Sequence, residues 1–160
     1  MNWDELFQTQ LQLDRYIEAN HQLEEADLFE DKVLALLVEV GELANETRCF
    51  KFWSQKPASP EDVILEEYVD GLHFMLSLGL EKELRYEEQP IKPVDDLSGG
   101  FHQVYEDIVK FKSVPKQKNF QQMFSNYLSL GAGLGFSEQA IQYAYHKKNA
   151  RNHQRQDEGY

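Results

Sequence analysis

Between Glu61 and Leu84 the chain carries Tyr68, Val69, Leu72, Phe74, Met75, Leu76, Leu78 and Leu80, which surround a helix on nearly every side. A helix that is apolar all round is buried, so this segment sets the centre of whatever fold the chain adopts. Glu67 and Asp70 lie within it. A bare carboxylate in such surroundings is costly unless it is paired, protonated or bound to a cation. Upstream, Val33, Leu36, Leu37, Val40 and Ala44 fall on one face of a helix beginning at Phe29. Glu39, Glu42 and Glu46 border that face rather than pointing straight into solvent. Glu39/Glu42 and Glu67/Asp70 are each three residues apart, and so neighbours on one helical surface.

The remaining segments read the same way. Leu6, Phe7, Leu11, Leu13, Tyr16 and Ile17 keep close to helical spacing from Trp3 to about Leu23, and a polar Glu24-Glu25-Ala26-Asp27 connection follows. After the aromatic and basic run Cys49-Phe50-Lys51-Phe52-Trp53, Pro57 and Pro60 separate the second helix from the third. The charged stretch Glu81 to Asp96, with Pro90 and Pro93, reads as irregular, and Ser98-Gly99-Gly100 as a break. Helices are expected at Phe101 to Phe111, at Phe120 to Leu134 ending in a Gly-rich run, and at Ala140 to about Asn152, followed by a polar, partly basic tail. No segment alternates strongly enough for a strand. The expectation is an all-α chain forming one domain over residues 1–160.

Composition narrows the class. A net charge of −12 argues against a general nucleic-acid binder, whose affinity rests on Lys and Arg. It leaves room for a small phosphorylated ligand, because a bound cation reverses the local sign. Cys49 is the only cysteine, so no intrachain disulfide forms and thiolate metal sites are disfavoured. The N-terminal residues lack the basic start and apolar run of a signal peptide, and no stretch is long enough to span a bilayer. A cytoplasmic protein is expected.

Acids at this spacing are most often a solvated helix face, and a buried one is often matched by Lys or Arg. Four of them brought together are harder to satisfy, because like charges at close range do not all ionise without cations among them. Carboxylate-only ligation suits Mg²⁺, with Mn²⁺ as a substitute, and Mg²⁺ commonly bridges to substrate phosphates. Phosphoanhydride hydrolysis is the chemistry that uses such a site. A di-iron bundle is the competing metal reading, through Glu18-x-x-His21 and Asp70-x-x-His73. It lacks a second Glu-x-x-His.

Glu39-x-x-Glu42 followed by Glu67-x-x-Asp70 resembles the signature of the all-α nucleoside triphosphate pyrophosphatases. Four further segments resemble the dimeric dUTPase family. They are Gln10-Leu11-Gln12-Leu13-Asp14, Phe50-Lys51-Phe52-Trp53, Asp70-Gly71-Leu72-His73-Phe74, and Tyr145-x-x-Lys148-Asn149-x-x-Asn152-x-x-Arg155-Gln156-x-x-Gly159-Tyr160. Asp14 stands where some members have Asn, and about Glu81 to Gly135 has no counterpart in the resemblance. The resemblance implies a four-helix core with additional helices, a homodimer, and Mg²⁺-dependent hydrolysis of dUTP, and also dUDP. The products from dUTP are dUMP and pyrophosphate. It assigns Glu39, Glu42, Glu67 and Asp70 to the metals, with Glu39 or Glu42 orienting the attacking water and Glu46 either in the outer shell or merely solvated. Lys148, Asn149 and Arg155 are assigned to phosphate, against the plain alternative of a basic helix end. Phe74 is assigned to the deoxyribose and Gln10, Asp14 and Trp53 to the base, against ordinary packing; His73 and His153 are read as structural or solvated. A sibling pyrophosphatase acting on dCTP or modified nucleotides, and a non-catalytic helical partner-binding protein, are the alternatives.

Overall fold

The structure, a computed structural model describing residues 1–160, contains six helices and no strand. They are α1 (Trp3–His21), α2 (Phe29–Thr47), α3 (Glu61–Glu81), α4 (Leu97–Ser113), α5 (Gln117–Gly133) and α6 (Glu138–Asp157). The helix that is apolar all round is indeed central. Tyr68, Leu72, Met75, Leu76 and Leu78 of α3 are fully buried, and α1, α2, α5 and α6 all pack against it. Together α1, α2, α3 and α6 form the core around one cleft, and the α4–α5 pair closes the structure behind, α4 on α2 and α5 on α3. One continuous apolar core draws on all six helices.

Local chemistry accounts for several ends. The Asn2 side chain accepts from the Glu5 amide and starts α1, and the Ser137 hydroxyl accepts from the Ala140 amide and starts α6. Gln22 and Arg48 close α1 and α2 in the left-handed conformation.

The seam between α3 and α5 sets the rotation of α3. Tyr68 and Tyr127 stack with ring centroids 4.6 Å apart, and each hydroxyl donates to the other residue's backbone carbonyl, at 3.1 and 2.6 Å. Glycine makes room for both rings. A Cβ on Gly71 would stand 2.2 Å from the Tyr127 hydroxyl, and one on Gly131 2.4 Å from the Tyr68 ring. This pairing holds one face of α3 inward and turns the adjoining face, with Asp70, towards the cleft.

Two expectations require correction. Ser98, Gly99 and Gly100 are not a break but the first turn of α4, with Asp96 at the N-cap position. Gly100 is buried there against Val94 and Leu130, so close packing and not chain flexibility explains it. The fifth helix ends inside the Gly-rich run as expected, at Gly133, and the chain turns at Gly135, whose φ is +88°. The C-terminal tail is helical as far as Asp157. It is tied to α1 by a Tyr16–Asp157 hydrogen bond and a His21–Gln156 contact of 3.0 Å.

Candidate active site

The α2–α3 packing brings the two acid pairs together. One carboxylate oxygen from each of Glu39, Glu67 and Asp70 lies within 4.8 Å of the others. Glu42 is more exposed, at the rim beside them, and its charge bears on both Glu39 and Glu67. Glu39 Oε2 and Glu67 Oε2 are buried without a hydrogen-bond partner. Two buried, unpartnered carboxylate oxygens in one acidic cluster are unfavourable in a bare protein. Glu46 has turned away from this cluster: it accepts a hydrogen bond from the Ser59 hydroxyl and anchors the connection into α3.

The electrostatics follow from this crowding. Burial, then the charges of Asp70, Glu42 and Glu67, push the Glu39 carboxyl up to about 8. Burial, then Asp70 and Glu42, push Glu67 up to about 7. Burial also raises Asp70, but Lys148 opposes the shift. Lys148 reaches Asp70 at 3.1 Å and Glu66 at 3.0 Å. It is the one cation in direct contact with the cluster.

A stability prediction follows. Carboxyls with ordinary values near 4.5 in the unfolded chain hold their protons more tightly when folded, so the folded state binds more protons over the interval between. The resulting penalty is absent below about 4.5, grows as pH rises, and is complete above about 8. In a chelator, the melting temperature is expected to be higher at acidic than at alkaline pH across that window. Millimolar Mg²⁺ should restore much of the loss at the alkaline end, because only the folded form gathers the acids. A melting temperature that does not fall with pH in the chelator would contradict the crowded cluster.

A cleft of about 300 Å³ opens beside the acids. Glu39 and Asp70 lie at one end with Lys148, Asn152 and Arg155 of α6. Gln10, Leu13, Asp14 and Ile17 of α1 and Leu28 and Lys32 near the start of α2 line the other, with His73, Phe74 and Ser77 along α3. The cleft thus has a charged end and a mixed end, joined by a half-buried aromatic ring.

The candidate residues do not all meet here. Gln10 is buried in a network: its amide nitrogen donates to Asp14 at 2.8 Å, and its carbonyl oxygen accepts from the Tyr145 hydroxyl at 2.8 Å. Asp14 also accepts from the Ser77 hydroxyl at 2.7 Å. Asn149 is buried and not among the side chains facing the cleft; Asn152, one turn on, takes that place. Trp53 stands outside it, 64% exposed, edge-on to Phe50 and Phe52.

Sequence reasoning missed Lys32 and Ser77 and read His73 as structural. Ser77 and His73 were accessible by spacing, being seven and three residues beyond Asp70 on the same helix. Nothing local marks Lys32, which is held by Glu81 at 2.8 Å.

The structure defines an all-α protein with converging carboxylates beside a half-open cleft. A sequence profile of the dUTPase family matches residues 2–160. The chain belongs to that family, and the enzyme is a dUTP diphosphatase. Comparison with curated proteins finds no match.

Proposed function

We propose that the enzyme converts dUTP to dUMP and pyrophosphate using Mg²⁺ held by Glu39, Glu42, Glu67 and Asp70, keeping uracil out of nucleotide pools and supplying dUMP. The observation that carries the reading is the pair of unpartnered buried oxygens on Glu39 and Glu67, within reach of Asp70. An all-oxygen donor set of this charge fits Mg²⁺, with Mn²⁺ as the alternative. When bound, such ions polarise phosphoryl oxygens and neutralise the charge that develops on them.

The chain's own residues do the rest. Lys148 and Arg155 present a point charge and a fork of donors to the phosphates, and Asn152 adds an amide on the same helix face. Lys148 exchanges its present carboxylate partners for phosphate oxygens as substrate enters. Glu39 or Glu42 orients the attacking water. Phe74 packs on the deoxyribose, and Asp14 and Gln10 set the polarity of the base end.

We read residues 1–160 as a single domain acting in the cytoplasm as a homodimer. No helix is long and apolar enough to cross a membrane. Leu34 and Val38 on α2 and Phe50, Phe52 and Trp53 in the following connection are exposed, which is the kind of surface a second copy covers. Because Trp53 lies outside its own cleft, its place beside a base is open only in the cleft of the second copy.

The test is a hydrolysis assay on dUTP and dCTP with Mg²⁺ and with chelator, together with a solution mass. Cleavage of dUTP to dUMP that disappears in chelator, at the mass of two chains, is the expected result. Equal turnover of dCTP would move the enzyme to the sibling activity, and turnover unaffected by chelation would remove the metal.

A further inference from the structure

Lys148 stands between two cavities. It lines the cleft beside Asp70, and it also lines a second groove of about 550 Å³ between the first half of α3 and α6. Glu66 lines that groove and not the cleft, and it is not one of the clustered acids. One turn apart on α3, Glu66 and Asp70 share a face, so a single ammonium can bridge them. Lys148 Nζ does so, 3.0 Å from Glu66 Oε1 and 3.1 Å from Asp70 Oδ1. The lysine side chain is only 12% exposed, whereas that of Glu66 is 47% exposed. Arg151, which also lines the groove, lies 3.7 Å from the same Glu66 oxygen.

The two carboxylates flanking Lys148 have different tasks. Asp70 is engaged by a cation in the reading above, which leaves Glu66 as the carboxylate partner of Lys148. An ammonium so withdrawn from water is costly to leave without an anion beside it. Lys148 therefore alternates between Glu66 on the groove side and phosphate on the cleft side. A phosphate that takes Lys148 must displace Glu66, and the time the lysine spends on Glu66 subtracts from the affinity of the cleft. The same carboxylate receives the ammonium again when phosphate departs, so release strands no buried charge.

We propose that Glu66 is a positioning residue that competes with phosphate for Lys148, holding the ammonium at the wall of the cleft between turnovers and limiting how tightly phosphate is bound. The inference rests on the phosphate role given to Lys148 above and assigns a task to an acid outside the cation cluster. Glu66 touches neither substrate nor cation; it acts through Lys148.

The test is a double-mutant cycle on the affinity for a non-hydrolysable dUTP analogue in Mg²⁺, measured by titration calorimetry. Glu66→Gln keeps the shape of a half-exposed side chain, so folding is not at stake, and it removes the competing charge. It should bind the analogue about three- to fivefold more tightly than the wild type, the range that an ion pair of this exposure supports. Lys148→Met should bind the analogue less tightly than the wild type. Adding Glu66→Gln to it should change the affinity by less than about 1.5-fold, because the competition has lost its object. That arm separates competition from plain repulsion: a carboxylate that merely repels phosphate would give the same tightening without Lys148. Unchanged or weaker binding by Glu66→Gln, or a tightening that persists beside Lys148→Met, would overturn the assignment and leave dUTP hydrolysis standing. A Lys148→Met protein that binds the analogue as well as the wild type, or a wild type that does not bind it, would instead bring down the reading on which the assignment rests.

Discussion

Glu67→Gln is expected to lower dUTP turnover by about a hundredfold or more, roughly 2.7 kcal/mol of barrier, while making the metal-free protein more stable at alkaline pH. Both halves come from one geometry. The Glu67 carboxylate has a buried oxygen without a partner and sits among the charges of Asp70 and Glu42, so ionising it in the folded protein is unfavourable. A neutral amide of the same shape removes that repulsion and also removes a cation ligand. Asp70→Asn should be equally inactive without the gain, because Asp70 already has Lys148 at 3.1 Å and losing that pair offsets the relief. Turnover and melting temperature in chelator at pH 8 measure the contrast. A Glu67→Gln enzyme retaining more than about a tenth of wild-type turnover, a loss under roughly 1.4 kcal/mol, would end the assignment of the cluster as the metal centre.

Phe74→Ala should erode the choice of deoxyribose over ribose. The ring lies one turn beyond Asp70 on α3, half-buried against the core and facing the cleft. A ring packed on the sugar carbons fills the space of a ribose 2′-hydroxyl and offers that hydroxyl no partner, so a ribonucleotide loses solvation without compensation. The cost is on the order of 1–3 kcal/mol, or roughly ten- to a hundredfold in the ratio of specificity constants for dUTP and UTP. The alanine variant should lose most of that ratio, beyond any general loss of rate. If the ratio is the same in both enzymes, Phe74 only packs the core and sugar choice is made elsewhere.

What the sequence alone could carry was set by periodicity and by burial. An apolar circumference made α3 the central helix, and Glu67 and Asp70 within it were conspicuous because nothing in the helix itself could satisfy them. The helical character of every other segment followed from spacing, as did the grouping of Asp70 with Phe74. The errors were local ones. Ser98-Gly99-Gly100 reads as a break, whereas Gly100 is small because Val94 and the distant Leu130 come close. The last helix runs on past Asn152 to Asp157.

The site itself needed the tertiary structure. Glu39 meets Glu67 and Asp70 only because the Tyr68–Tyr127 seam sets the rotation of α3 and the α2–α3 packing places the other acid opposite. Asn149 and Asn152 are indistinguishable by residue type, and the rotation of α6 about its own axis decides which faces the cleft. Trp53 belongs to a connection whose direction no periodicity governs, and its ring stands outside the cleft. His73 meets Gln10 of α1 and the Tyr145 ring of α6, residues brought together from opposite ends of the chain. Helical spacing says which side chains share a face, because that is fixed within a few residues by backbone geometry. Which faces oppose one another is settled by packing between distant segments, and the chemistry of this cleft lies in those oppositions.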